Sequence, residues 1–282
     1  MDWWTEPFML GFQQRALIGG LIAAATCSIV GVWLVLRGMS FFGDAFVHGV
    51  LPGIAAGVIF GFSPYLGAAV AALVMVGGIE LIHRQTSLKE DTAIGLLFVG
   101  MMALGVALIS KSHTYTGSLT SILFGDIFGV DQPTLTSMAI LGSIVVAGSL
   151  ILYRPLLALS FSPAKADTLG MSPRFTHAAL LVLIATAVIG SFQAVGTLLV
   201  FGLLVGPPAT AALLARTVPQ MFGLSVVLAA FAVWLGLTLS YHWGTAGSAT
   251  MALVAIVVFF AVLAVTRLTQ TLRGATPRAV TA

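Results

Sequence analysis

The sequence predicts an all-α integral membrane protein, a polytopic bundle of about eight or nine transmembrane helices in one transmembrane domain over residues 1–282. Hydrophobic residues make up 59% of the chain and charged residues 7%, and the mean hydropathy is +1.09. A soluble domain carries about 25% charged residues. The few charges are separated by apolar runs of about 20 residues or multiples of that length, which a helix needs to cross a bilayer core of about 30 Å.

Nine spans result when the chain is divided at its charged residues. The stretch between Asp44 and Glu80 is uncharged apart from His48 and is long enough for two spans, which turn at Ser63 and Pro64. The uncharged stretches 175–215 and 217–266 also hold two spans each, broken near 191–196 and 240–248. The single spans are 16–36, 92–110 and 132–153.

The basic residues predict that the N-terminus lies outside and the C-terminus in the cytoplasm. With this orientation ten of the 12 Lys and Arg residues are cytoplasmic, and only Arg15 and Lys111 are external. Residues 1–14 are then an external N-terminal segment, and 268–282 form a cytoplasmic tail. The N-terminus lacks a basic region before the first apolar run, so this run is predicted to be a span and not a cleaved signal.

Asp44 and His48 form the most informative polar pair. Their i, i+4 spacing places both side chains on one face of a helix, and a carboxylate oxygen with an imidazole nitrogen suits zinc, manganese or ferrous iron. In the structural alternative, Asp44 merely begins the second span and His48 makes a packing hydrogen bond. Pro52 and Gly53, one turn later, soften the helix and indicate a gating element.

Other motifs are less specific. Pro207 and Pro208 interrupt a span rich in small residues and predict a kink. Glu80 and His83 resemble half of a di-iron motif, but a solvated helix end at the membrane boundary explains them better. The outer loop 111–131 contains the apolar piece "SLTSILFGDIF", which either lies at the interface or re-enters as part of an external gate.

The inner loop contains a short helix in the segment 161–172. Ser162 is predicted to cap this helix, Pro163 to begin it and Gly170 to end it. A helix of about seven residues is marginal alone in water. It therefore rests either on the bilayer or on a cytoplasmic partner.

Several functions are excluded by what the sequence lacks. It has no GxxxxGK[ST] loop for ATP phosphates and no HExxH motif for a zinc protease. Cys27 is the only cysteine, and the basic residues are too few and too scattered for nucleic acid. The chain is therefore expected to be no enzyme and to hold no permanent cofactor. Energy for active transport would have to come from another subunit or from an ion gradient.

Four segments carry a family resemblance. In order, "RGMSFFGDAFVHGVLPGIA", "KEDTAIGLLF", "SFSPAKADTLGM" and "GTLLVFGLLVGPPATAALL" resemble the membrane permeases of the manganese, zinc and iron importers of the ATP-binding-cassette class. The likeness runs from about Phe12 to Arg267. It implies the fold of type II importer permeases, a permease homodimer in the plasma (inner) membrane of a prokaryote, cytoplasmic ATP-binding subunits and an external metal-binding protein.

The resemblance also implies roles for residues. Asp44 and His48 match the family's metal-contacting pair, so the transported zinc or manganese ion, or iron, would pass between them. The segment from Pro163 to Gly170 matches the coupling helix, whose further members here are Ala166, Asp167 and Leu169. Where the family has an acidic residue soon after "FSP", this chain has Ala164 and Lys165.

Other functions stay open at the level of sequence. A chelate or siderophore permease would need a large polar cavity in place of a small ion pair. An ion-coupled secondary transporter would use Asp44 and His48 as a proton relay. A membrane enzyme would need more converging polar residues than this sequence offers.

Overall fold

A computed structural model describes residues 3–4, 6–85, 90–110, 125–162, 167 and 170–272, and this part of the chain is helical without a strand. The predicted all-α class is thereby confirmed. Short 3-10 turns lie at Glu6–Met9 and Ile127–Gly129. The helices are α1 (Gly11–Leu36), α2 (Ser40–Gly49), α3 (Leu51–Phe60), α4 (Pro64–Gln85), α5 (Glu90–Ser110), α6 (Gln132–Ile151), α7 (Tyr153–Phe161), α8 (Pro173–Leu214), α9 (Val218–Trp243) and α10 (Gly247–Leu272).

Within the described residues, nine helical stretches are long and apolar enough to cross a membrane, so the predicted number of spans is confirmed. Helices α2 and α3 together form the second span, and α8 supplies two spans. Glycines with left-handed torsions lie at or next to the predicted turns. Gly61 ends α3 with φ +75°, and Gly244 ends α9 with φ +63°.

Helices α1 and α8 form the centre of the bundle. In α1, 67% of the span is buried, whereas the span in α5 is only 22% buried. A side chain at Gly31 of α1 would clash with the carbonyl oxygen of Leu204 in α8, and its Cβ would lie 2.8 Å from Cγ of Pro208. The two central helices can therefore approach this closely only because position 31 is glycine.

The break in α8 lies at Gly196, which has φ 76° and ψ 162°. It falls at the end of the stretch 191–196, where the sequence predicts that one uncharged run divides into two spans. The backbone torsions stay helical through Pro207 and Pro208, further along the same helix. A role of these two prolines in gating stays a prediction.

The end of the outer loop enters the bundle next to this break. Gly125 lies so close to α8 that its Cβ would be 2.6 Å from the carbonyl carbon of Val195. Ile127 and Val130 are buried, with 2% and 4% exposure. Gly125, Ile127 and Val130 therefore pack against the bundle, whereas 111–124 lie outside the described residues, so the choice between an interfacial loop and a re-entrant external gate stays a prediction.

Candidate functional site

Helix α2 separates an apolar face from a polar one. Phe42 and Phe46 are fully buried against the core. Asp44 and His48 lie on the opposite side and keep 32% and 28% of their side-chain surface exposed. An ionisable group inside a membrane span costs a few kcal/mol, so such groups commonly mark a transport pathway. This face of α2 is therefore where the second span meets water, an ion or another chain.

The two side chains are close enough to share one metal ion. Oδ1 of Asp44 lies 3.6 Å from Nε2 of His48. In a tetrahedral zinc site, two ligands each about 2.1 Å from the metal lie about 3.4 Å apart. A shift of a few tenths of an ångström would bring both atoms into one coordination shell. The two side chains thus lie on one helix face as the spacing indicates, and their role in metal binding stays a prediction.

Aromatic rings flank the pair on the same side of the bundle. The ring centroid of His48 lies 6.3 Å from that of Phe98 in α5, and Phe98 makes an edge contact with Phe41, with centroids 6.1 Å apart. These rings make the immediate surroundings of the imidazole partly apolar. They also supply no competing donor for an ion.

The second span divides directly after the pair. Val50 separates α2 from α3 with φ −85° and ψ −11°, and Pro52 lies in the first turn of α3. Since proline has no amide hydrogen, the carbonyl of His48 cannot receive the usual bond from residue 52. The predicted soft point near Pro52 and Gly53 thus coincides with a helix boundary.

Close packing holds α3 in place below the pair. A Cβ on Gly53 would lie 2.7 Å from Cβ of Ala71 and would clash with the carbonyl oxygen of Gly67, both in α4. In α5, a Cβ on Gly105 would lie 3.3 Å from the nitrogen of Pro52. The pair is therefore followed by a segment with little room to shift unless α4 or α5 moves as well.

The described residues contain no cluster of three or more histidine, cysteine, aspartate or glutamate side chains that could hold a metal. If the pair binds a metal, Asp44 and His48 would supply two ligands from one chain. Glu80 lies in α4 and His83 near its end, in keeping with the helix-end explanation for that second pair. A transported ion held by Asp44 and His48 would take its further ligands from water, from a second chain or from residues that the structure does not describe.

The residues of the predicted coupling segment are only partly described. Ser162 follows α7 with extended torsions, and Asp167 accepts a hydrogen bond from the amide of Gly170 at 3.0 Å. Gly170 has φ +72°, as expected where a helix ends. Pro163, Ala166 and Leu169 lie outside the described residues.

One further contact is not apparent from the sequence, whereas the backbone break in α8 lies where the sequence predicts a division. Nη1 of Arg37, at the end of α1, lies 2.7 Å from Nδ1 of His177 in α8. Gly196 has the torsions of a glycine hinge next to Gly125. The sequence does not indicate that Arg37 and His177 meet. In contrast, a glycine within an apolar run is the sequence feature that indicates a break at Gly196.

Comparison with known proteins identifies the class to which this arrangement belongs. The family model described as "ABC 3 transport family" matches residues 9–266. The "Manganese transport system membrane protein MntC" of Listeria innocua is 36% identical over 250 residues, which cover 89% of each chain. A "Probable iron transport system membrane protein" of Haemophilus influenzae is 32% identical over 267 residues, which cover 95% of this chain and 98% of that protein.

Solved structures agree with these relatives. The complex titled "PsaBC from Streptococcus pneumoniae in complex with Fab" contains a chain that matches with a TM-score of 0.83 and 33% identity, covering 94% of this chain and 96% of that one. A putative metal-chelate type ABC transporter in an inward-facing conformation matches with a TM-score of 0.74 at 17% identity, which supports the fold alone. On the strength of the family model and these relatives, the chain belongs to the ABC 3 transport family.

Proposed function

We propose that this chain is the membrane permease subunit of an ATP-driven importer, and that the transported substrate is a divalent transition metal, manganese or ferrous iron before zinc. The observation that carries the proposal is the Asp44–His48 pair, whose donor atoms lie 3.6 Å apart on one face of the second span. Family membership supplies the transport class, and the names of the relatives favour manganese and iron.

A homodimer completes the proposed site. In a twofold assembly, the same face of α2 from each copy would contribute one carboxylate and one imidazole. Two oxygen and two nitrogen ligands are a set that manganese, iron and zinc accept. The partial exposure of both side chains in a single chain leaves them accessible to a second copy.

Energy and delivery are proposed to come from other proteins. A cytoplasmic ATP-binding subunit would dock on the segment 162–170, and an extracytoplasmic metal-binding protein would deliver the ion at the opposite face. The orientation predicted from the basic residues, with the C-terminus in the cytoplasm of a prokaryotic cell, places the coupling segment on the side where ATP is found. The chain itself contains no phosphate-binding loop.

Metal uptake by cells that express the complete transporter tests the site. Asp44→Ala and His48→Ala are each expected to abolish accumulation of radioactive manganese or iron, because one chain then offers a single ligand. Dimer assembly and binding of the ATP-binding subunit should persist.

His242→Ala provides a matched control, because it removes a histidine whose ring stacks on Trp3 away from the pair. This variant should transport like the wild type. Near-normal uptake by the Asp44→Ala, His48→Ala double variant at equal membrane abundance would show that the pair is structural.

A second experiment tests the energy source. Ala166→Asp together with Leu169→Asp in the coupling segment should uncouple ATP hydrolysis from uptake while leaving the protein in the membrane. Transport that persists without any ATP-binding subunit would refute the proposal and favour an ion-coupled transporter.

A further inference from the structure

An apolar groove runs along the outside of the bundle where α1, α6 and α9 meet. Its wider part is a cavity of about 470 Å³ whose lining residues are apolar apart from the hydroxyl-bearing Ser149 and Tyr153. A neighbouring cavity of about 440 Å³ between α1 and α6 is also lined by Val146 and Leu150, so the two cavities adjoin along α6. The wider part is lined by Ile29, Val146, Leu150, Tyr153, Phe222 and Gly223, among others.

The groove is distinct from the candidate metal pathway. None of the residues that line it belongs to α2, α3, α4 or α5, which hold or surround Asp44 and His48. Its floor is rigid, because Nε1 of Trp33 donates a hydrogen bond to Oγ of Ser149 at 2.7 Å and the Trp33 ring packs edge-on against Tyr153. Specific side-chain contacts of Trp33 with Ser149 and Tyr153 therefore shape this groove.

Its dimensions match a lipid acyl chain. From Ala139 to Tyr153 the lining residues extend along α6 and into α7, which is about 21 Å at 1.5 Å per residue. One leaflet of the hydrocarbon core is about 15 Å thick. A single extended chain thus fits within the groove with its headgroup at the Tyr153 end.

Two arginines lie close to that end in the sequence. Arg154 follows Tyr153 directly, and Arg216 precedes Pro219, another lining residue, by less than one helical turn. Thr217 caps α9 by accepting a hydrogen bond from the amide of Gln220, which fixes Arg216 at the positive end of the helix dipole. Both arginines are exposed, and neither forms an ion pair with a described residue.

We propose that this groove is a binding site for an anionic phospholipid, with one acyl chain between α1, α6 and α9 and the phosphate beside Arg154 and Arg216. Charge complementarity favours this occupant over a neutral lipid. Each Lys or Arg at a membrane surface strengthens attraction to anionic lipid by roughly fivefold in affinity. The lipid would brace the ends of α6 and α9 at the same membrane face as α7.

Native mass spectrometry of the purified transporter tests the proposal, with phosphatidylglycerol and phosphatidylcholine of identical chains added in parallel. The wild type should retain phosphatidylglycerol more strongly. Arg154→Gln with Arg216→Gln should reduce that retention by more than tenfold and leave phosphatidylcholine unchanged. Arg267→Gln is the matched control, because it removes an exposed arginine near the end of α10, and it should retain lipid like the wild type.

Filling the groove gives an independent test that leaves the charges intact. A Cβ on Gly223 meets no atom within 4 Å, so Gly223→Leu can be accommodated and would occupy the space of the acyl chain. Phosphatidylglycerol retention should fall severalfold, whereas Gly77→Leu in α4, which also meets open space, should have no effect.

Three results would overturn the proposal. The first is equal retention of the two lipids by the wild type. The second is a loss of lipid in the Arg154→Gln, Arg216→Gln variant that is no larger than the loss in Arg267→Gln. The third is dissociation of the oligomer by Gly223→Leu, which would assign the groove to contacts between copies of the chain.

Discussion

The glycine contact between α3 and α4 allows a sharp test of how the candidate site is held. Gly53 and Gly67 touch through their backbones, and each would clash with the carbonyl oxygen of the other if it carried a side chain. Gly53→Ala would place Cβ 2.6 Å from the carbonyl carbon of Gly67 and 2.7 Å from Cβ of Ala71. Ordinary contact between carbon atoms begins near 3.5 Å, so relieving these two contacts alone requires about 0.8 to 0.9 Å of separation, and the clash with the carbonyl oxygen of Gly67 requires more.

The expected loss of stability follows from what obstructs the new methyl group. Overpacking in a core costs about 1 to 3 kcal/mol, and the upper end applies where backbone atoms cannot rotate away. We expect Gly53→Ala to lower the free energy of unfolding by about 3 kcal/mol. Gly77→Ala in the same helix as Gly67 meets no atom within 4 Å, and it should instead gain about 0.5 to 1 kcal/mol from helix propensity.

Unfolding of the detergent-solubilised protein by sodium dodecyl sulfate, followed by far-ultraviolet circular dichroism, measures these differences. The Gly53→Ala, Gly67→Ala double variant should lose less than the sum of the single losses, because the first alanine already separates the helices. Metal uptake should also fall in Gly53→Ala, since α3 continues the span of Asp44 and His48. A Gly53→Ala protein within 1 kcal/mol of Gly77→Ala would refute the reasoning.

Other predictions concern the core, the hinge and a helix cap. Trp33→Phe removes the donor that bonds to Oγ of buried Ser149, and it should lower the free energy of unfolding by about 2 kcal/mol, measured by the same titration. Gly196→Ala forces alanine into φ 76° and ψ 162°, which should cost about 1 to 3 kcal/mol; an unchanged stability would show that the backbone relaxes there. A hydrogen bond from the Thr134 side chain and, with a smaller effect, one from the Thr134 backbone amide hold the pKa of the Asp131 carboxyl below its ordinary value. The stabilisation from Asp131 should therefore be complete above pH of about 4 and be lost as the pH falls through the lower folded pKa. Asp131→Asn should remove this acid-dependent loss, which a pH series of unfolding midpoints would detect.

The number of spans could be predicted because a membrane imposes a strong local rule. Charges are costly in the hydrocarbon core, so they mark where one span ends and another begins, and each apolar run must be long enough to cross. The break in α8 at Gly196 agrees with this rule, since the uncharged run 175–215 was too long for one helix. In contrast, the short helix α7, which directly follows the span Gln132–Ile151, is not indicated by the sequence.

The candidate pair was predictable for the same reason, because i, i+4 spacing fixes which side chains meet within one helix. Contacts between helices were not predictable. Nothing in the sequence around Gly53 indicates that its partner is Gly67, and nothing near Arg37 indicates His177. These contacts depend on how the spans pack, and spacing along one helix carries no information about the neighbouring helix.

The packing also bears on how the proposed site would release its ion. One chain offers two ligands, and close glycine contacts at Gly53 and Gly105 tie the following segment to α4 and α5. Rearrangement of Asp44 against His48 within α2 would require a change in that helix itself. Movement of one copy of the chain against the other would instead separate the two halves of a shared site while each pair stays intact. Release by relative movement of the two copies therefore fits these contacts better than opening within a single chain. This mode of release predicts that a disulfide fixing the two copies together across the α2 faces stops uptake without abolishing metal binding.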